Sequence, residues 1–231
     1  MGRHLFGAAA LALGVASLAL HAQLVSSWTL PGRVPFLDAT AVAQIAGGMA
    51  IQFARSARLG ALVLLAVYVI FAGTFVPEIF AQPGVYASWG NVFYSLGLVA
   101  GAIVAYEAKA CANAAVMLFG LSNISYAIEQ VEFFARTASL VPKWIPFGGS
   151  FWAIATTIAF ALAGVALVVR YKALLASRLL TVMLLIFGVT IWIPALIAKP
   201  GQLGNWSEGL ETFAIAGAAW IVADFQRSHV R

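Results

Sequence analysis

The chain has one cysteine, Cys111, in 231 residues. A lone thiol forms no internal disulfide and holds no iron–sulfur cluster, which excludes a disulfide scaffold and a ferredoxin-like centre. Histidine is nearly as scarce, with only His4, His21 and His229. His4 and His229 are expected at one face of the protein and His21 near the other, so a bis-histidine haem lacks a second ligand at any one depth. Charged residues make up 9% of the chain, against about 25% in a soluble domain. That shortage excludes a water-soluble globule, a disordered chain and a coiled coil. No glycine-rich dinucleotide fingerprint, P-loop or His-Glu-x-x-His motif occurs. No metal and no covalent cofactor are therefore expected, and no catalytic residue is assigned.

What is abundant is apolar: 63% of residues are hydrophobic and the mean hydropathy is +0.96. Crossing a bilayer core of ~30 Å takes about 20 apolar residues at ~1.5 Å each. Apolar runs near 5–24, 37–54, 59–77, 89–108, 111–131, 150–170, 178–196 and 207–225 predict eight transmembrane helices. The runs are continuous and rich in Ala, Leu and Gly, without the alternation of barrel strands. The expected fold is an all-α membrane protein, with the lipid bilayer as its first partner.

An internal repeat organises these runs. With a shift of 117, Phe75–Trp89 falls on Trp192–Trp206, so that Pro77, Ala81, Pro83, Gly84 and Trp89 meet Pro194, Ala198, Pro200, Gly201 and Trp206. Ala46-Gly47 meets Ala163-Gly164 in the same register, while Leu5-Phe-Gly7 recurs as Leu118-Phe-Gly120 at a shift of 113. The expected organisation is two parallel four-helix repeats, 1–110 and 111–231, since units with an even number of spans enter and leave on one side. The opening segment also has the outline of a secretory signal, but its counterpart at mid-chain implies that it is a helix of the fold.

Elementary rules assign roles to the recurring residues. Pro77 and Pro194 are expected to end the third and seventh helices. Ser88 and Asn205 are expected to cap the fourth and eighth, with Glu208 closing a capping box. Gly97 and Gly101, matched by Ala214 and Ala218, are small residues at helix-packing spacing. Of the thirteen Lys and Arg, nine gather on one side and four (Arg33, Arg136, Lys143 and Lys199) on the other. By the positive-inside rule both termini are expected to be cytoplasmic. The net charge of +5 then signals orientation, and no nucleic-acid partner is implied.

The stretch Leu5-Phe-Gly-Ala-Ala-Ala-Leu-Ala-Leu-Gly-Val15, the Trp28-x-x-Pro31 loop and the glycine-rich Ile45-Ala-Gly-Gly-Met49 resemble DoxX-like membrane proteins. The resemblance covers residues 1–109 and extends more loosely over 113–226. It implies a duplicated four-helix unit of the bacterial inner membrane. It also implies a quinone-interacting or accessory subunit of a membrane oxidoreductase system, with oxidoreductase partner subunits and a bound quinone as the redox agent. It carries no catalytic motif onto particular residues.

Ionisable residues within a span are costly and mark function. Glu129 and Glu211 are the acids placed inside spans near the outer face, and Tyr126 shares a helix face with Glu129. With His21, which closes the first helix at that side, they are the candidate polar pocket. Glu132 is expected to pair with Arg136 four residues on, and Cys111 to be a small buried residue. Trp89, Trp206 and Trp144 form either an interfacial belt or the aromatic wall of a head-group slot. Two other functions remain open: a small-solute or proton-coupled transporter, and a structural or assembly protein with no chemistry of its own.

Overall fold

A computed structural model describes residues 1–23 and 34–229. The Trp28-x-x-Pro31 loop, and Arg33 within it, lie outside the described residues. The helices are α1 Gly2–Ala19, α2 Val34–Ala50, α3 Ala57–Ala81, α4 Tyr86–Ala105, α5 Lys109–Glu132, α6 Phe134–Leu140, α7 Gly148–Val168 and α8 Ala173–Phe187. A π turn at Gly188–Trp192, α9 Ile193–Ala198 and α10 Leu203–His229 complete the chain. No strand occurs among the described residues.

Six of these helices are long and apolar enough to cross a membrane: α1, α3, α4, α5, α7 and the continuous 173–198 segment. The helix α2 has 17 residues, and α10 carries Glu208, Glu211, Asp224 and Arg227, so neither meets that standard. The outward faces are apolar. Ile154, Ile158, Leu162 and Val165 on α7, Leu175, Leu179, Val182 and Ile186 on α8, and Val189 in the π turn are all at least half exposed. Stripes of this kind suit a lipid solvent, because water would expel them.

Each long helix packs on the next around a closed ring, α1–α2–α3–α4–α5–α7–α8–α10–α1, and α4 meets α10 across the middle. The centre is built from small residues, with Ala100, Ala102, Ala216, Ala218 and Ala219 buried around the rings of Phe6 and Phe119. Their size lets the backbones approach, which dispersion rewards where lipid leaves no hydrophobic drive between helices. A side chain on Gly7 would strike Gly48, and one on Gly120 would strike Gly164. The first two helices of each half therefore cross at a glycine pair.

Across the middle, a Cβ on Gly101 would lie 2.5 Å from the Cβ of Ala218, and Tyr94 sits beside Glu211. Both contacts join residues 117 apart. A constant difference, rather than a constant sum, means that α4 and α10 run parallel in register. By contrast, Gly2 would meet Ile221 and Gly217 would meet Phe6, a constant sum that makes α1 and α10 antiparallel.

Several local expectations need correction. Pro77 does not end α3, which continues to Ala81. It removes one hydrogen bond near the last turn, and one more turn forms beyond it. Pro194 sits in the first turn of α9, directly after the π turn. The wider turn re-registers the ladder ahead of a residue that has no N–H to donate. The helix α4 starts at Tyr86, before Ser88, and has Val85 at its N-cap position. Ser88 is buried and Asn205 bonds instead to the carbonyl of Ala195 at 3.3 Å. Trp89, Trp152 and Trp206 each donate their indole N–H to the carbonyl of a proline six residues earlier: Pro83 at 3.0 Å, Pro146 at 2.8 Å and Pro200 at 2.8 Å. Those bonds hold the turns that lead into α4, α7 and α10, so the indole does the work assigned to the caps. Cys111 is exposed, because it lies in the first turn of α5 at the end of the bundle.

Candidate functional site

The proline–tryptophan loops mark one end of the bundle, and a cavity of about 1050 Å³ runs inward from it. On α4 its lining extends from Tyr86 to Leu98, and on α10 from Leu203 to Ile215. At ~1.5 Å per residue both depths are ~18 Å, more than half of a ~30 Å bilayer core. Gly101 and Ala218 close α4 onto α10 one turn further in. Between α4 and α10 this vestibule is therefore closed, while along α8 its lining continues to Leu179 on the lipid-facing side.

Its walls are Phe71, Phe75, Phe160, Met183, Phe187 and Trp192. Near the loop end it is bounded by α6 and the segment after it, including Leu140, Pro142 and Trp144. Arg136 of α6 reaches Glu208 of α10 at 2.6 Å. The expected Glu132–Arg136 pairing does not form. The helix α5 stops at Glu132 and the chain turns at Phe133, so the two side chains no longer share a helix face.

Glu129, Glu211 and Tyr126 all line this cavity. Glu211 lies eight residues into α10 and Tyr94 eight into α4, so both are ~12 Å below the helix starts. Glu129 is exposed to the cavity nearer the loop end, within electrostatic reach of Glu208 and Arg136. The Tyr126 ring stacks between Tyr94 and Phe160, with centroids 5.8 and 5.7 Å away. Gly97 provides the room, since a Cβ there would come within 2.6 Å of the Tyr126 hydroxyl. Gly97 thus makes space for a side chain, and the close approach of the central helices falls to Gly101.

His21 is not among the lining residues; it lies just beyond α1 and bonds Asp38 at 2.9 Å. Trp144 lines the cavity, while Trp89 and Trp206 do not, their indoles being engaged by the turns. Among the described residues no group of three or more His, Cys, Asp or Glu could hold a metal ion.

Two lining residues went unnoticed in the sequence, Gln44 of α2 and Tyr68 of α3. Gln44 is 2% exposed, Tyr68 0% and Tyr126 7%. The Gln44 amide nitrogen and the Tyr68 and Tyr126 hydroxyls have no hydrogen-bond partner. Leaving such groups buried and unmade costs about 1–3 kcal/mol each. Polarity within an otherwise apolar span was the available signal. Elsewhere on the lining, Tyr86 donates to the Ser125 carbonyl, and Gln130 accepts from Thr156 at 3.0 Å and Thr157 at 2.9 Å. The arrangement can hold an elongated apolar molecule with a polar end.

No family model, no curated protein and no solved structure matches the chain.

Proposed function

We propose that the chain is a polytopic inner-membrane protein that receives an apolar molecule with a polar head, of the quinone class, in the vestibule between its halves. Its role is that of a quinone-interacting or accessory subunit of a membrane oxidoreductase system. The observation that carries the reading is the vestibule itself, with apolar walls, polar groups in its interior and a floor closed between α4 and α10. Its volume lies at the upper end of small-molecule sites, about 300–1,000 Å³.

In this reading all eight long helices cross the membrane, as two parallel copies of a DoxX-like four-helix unit. Support comes from the constant 117-residue offset across α4 and α10 and from the matching glycine crossings. The order of helix neighbours also repeats: α1–α2–α3–α4 in one half, α5–α7–α8–α10 in the other. Both termini are cytoplasmic by the distribution of Lys and Arg, which puts the vestibule at the outer side.

Purification in mild detergent from quinone-replete membranes, followed by solvent extraction and mass analysis, tests the reading. Quinone near one equivalent per chain is expected, and reduced retention in Glu129→Gln and Glu211→Gln. Protein that carries none contradicts it.

The π turn at Gly188–Trp192 favours a second reading, a small-solute or proton-coupled transporter, because interrupted helices beside a site are common in transporters. The closed floor at Gly101 and Ala218 counts against it. Solute uptake by reconstituted vesicles would decide for transport.

A further inference from the structure

Resting on the reading of the vestibule as a binding site, we infer that its inner part is a head-group subsite formed by Gln44, Tyr68 and Tyr126 around the Tyr94–Glu211 pair, selective for an uncharged head that presents carbonyl-type hydrogen-bond acceptors.

The three side chains come from α2, α3 and α5, and the pair from α4 and α10. Four helices therefore converge around Glu211, and α2 adds Gln44 to the same cavity. Each of the three is more than nine-tenths buried, lines the cavity and has an unpartnered polar atom. Glu211 lies within electrostatic reach of Tyr68, Tyr94 and Tyr126, which places these hydroxyls around one carboxyl group. Asn123 and Gln226 also bury an unpartnered polar atom, but they do not line the cavity.

The chemistry of the unpartnered atoms selects the head. An amide nitrogen donates only, and a phenol hydroxyl that makes no hydrogen bond is free to donate. Three donors call for acceptors on the ligand. An anionic head is disfavoured, because Arg136 is the only cation among the described lining residues and it is engaged by Glu208 near the loop end. A carbonyl head satisfies the donors without adding charge, and the Phe- and Met-lined walls accommodate its apolar body.

The test uses full-length protein in nanodiscs and three probes: a decyl-benzoquinone, a decylbenzene of the same chain length without carbonyls, and decylamine. Binding of the benzoquinone is expected to weaken about tenfold in each of Gln44→Leu, Tyr68→Phe and Tyr126→Phe, the loss of roughly one hydrogen bond. Decylbenzene is expected to bind more weakly than the benzoquinone and equally to wild type and variants. Tyr68→Phe and Tyr126→Phe remove only unpartnered hydroxyls, so the ligand-free variants should melt at or above the wild-type temperature. A lowered melting point would assign the hydroxyls a structural role and overturn the subsite. Equal losses for both aromatic probes, no loss for either, or tighter binding of decylamine than of the benzoquinone would also overturn it. If none of the probes binds wild type, the vestibule is not a ligand site and the proposed function falls with the subsite.

Discussion

Tyr94 and Glu211 sit side by side across the middle of the bundle, and they are also the two residues that coincide when the sequence is laid on itself with a shift of 117. Under the proposed repeat, a position that meets its own counterpart lies on the line relating the two units. The same holds for Gly101 and Ala218, two turns further in. The pair therefore marks both the centre of the molecule and the inner part of the vestibule. Breaking the match of residue types there, tyrosine against glutamate, gives one cavity two unlike sides.

If the neighbouring Tyr94 and Glu211 side chains interact, the interaction is measurable as a coupling. In a double-mutant cycle of Tyr94→Phe and Glu211→Gln, read by thermal unfolding in detergent, an interaction of about 1 kcal/mol is expected. Additive single-mutant effects would show that the two side chains act independently.

Close approach at the centre predicts a sharp contrast between glycines. Gly101→Leu forces a side chain into Ala218 and should destabilise the protein by about 1–3 kcal/mol or more. Gly73→Ala on α3 meets nothing within 4 Å and should be neutral or slightly stabilising. Melting curves of the two variants check this.

The Arg136–Glu208 pair is half exposed and should contribute at most about 1 kcal/mol to stability. Because both residues line the vestibule and join α6 to α10, Arg136→Ala should speed ligand release with little change in melting temperature. The charge-swapped double variant, Arg136→Glu with Glu208→Arg, should restore the slower rate. Stopped-flow release of a bound benzoquinone measures it.

Cys111 is the only thiol and is exposed at the end of the bundle opposite the vestibule. A membrane-impermeant maleimide should label it in inverted vesicles and not in intact cells. Labelling in intact cells would reverse the orientation.

The positions of the long helices were legible because apolar run length reports directly on what lipid requires. The run at 59–77 lies within α3, and the run at 111–131 fills α5. Glu129, Glu211 and Tyr126 were legible because an acid inside a span is too costly to be incidental. The helix ends were not. Pro77 and Pro194 read as stops, yet a proline late in a helix loses a single bond, and a π turn absorbs the other. Ser88 and Asn205 read as caps, while the indoles of Trp89 and Trp206, reaching back to prolines, took over that role. Arg136 read as a neighbour of Glu132, until the end of α5 turned it toward α10. Gln44 and Tyr68 are neutral, and a neutral polar group in a span signals less than an acid does. Only the fold, by opening one cavity onto α2, α3 and α5, brings them to the same site as Tyr126.

The most direct test of the vestibule as a ligand site is native mass spectrometry of the protein ejected from membrane-derived nanodiscs, comparing wild type with Thr212→Trp, which fills the lining from α10. A bound neutral molecule of quinone mass on wild type, lost from the filled variant, is the predicted result. The same occupancy in both proteins, or an empty wild type, would contradict it.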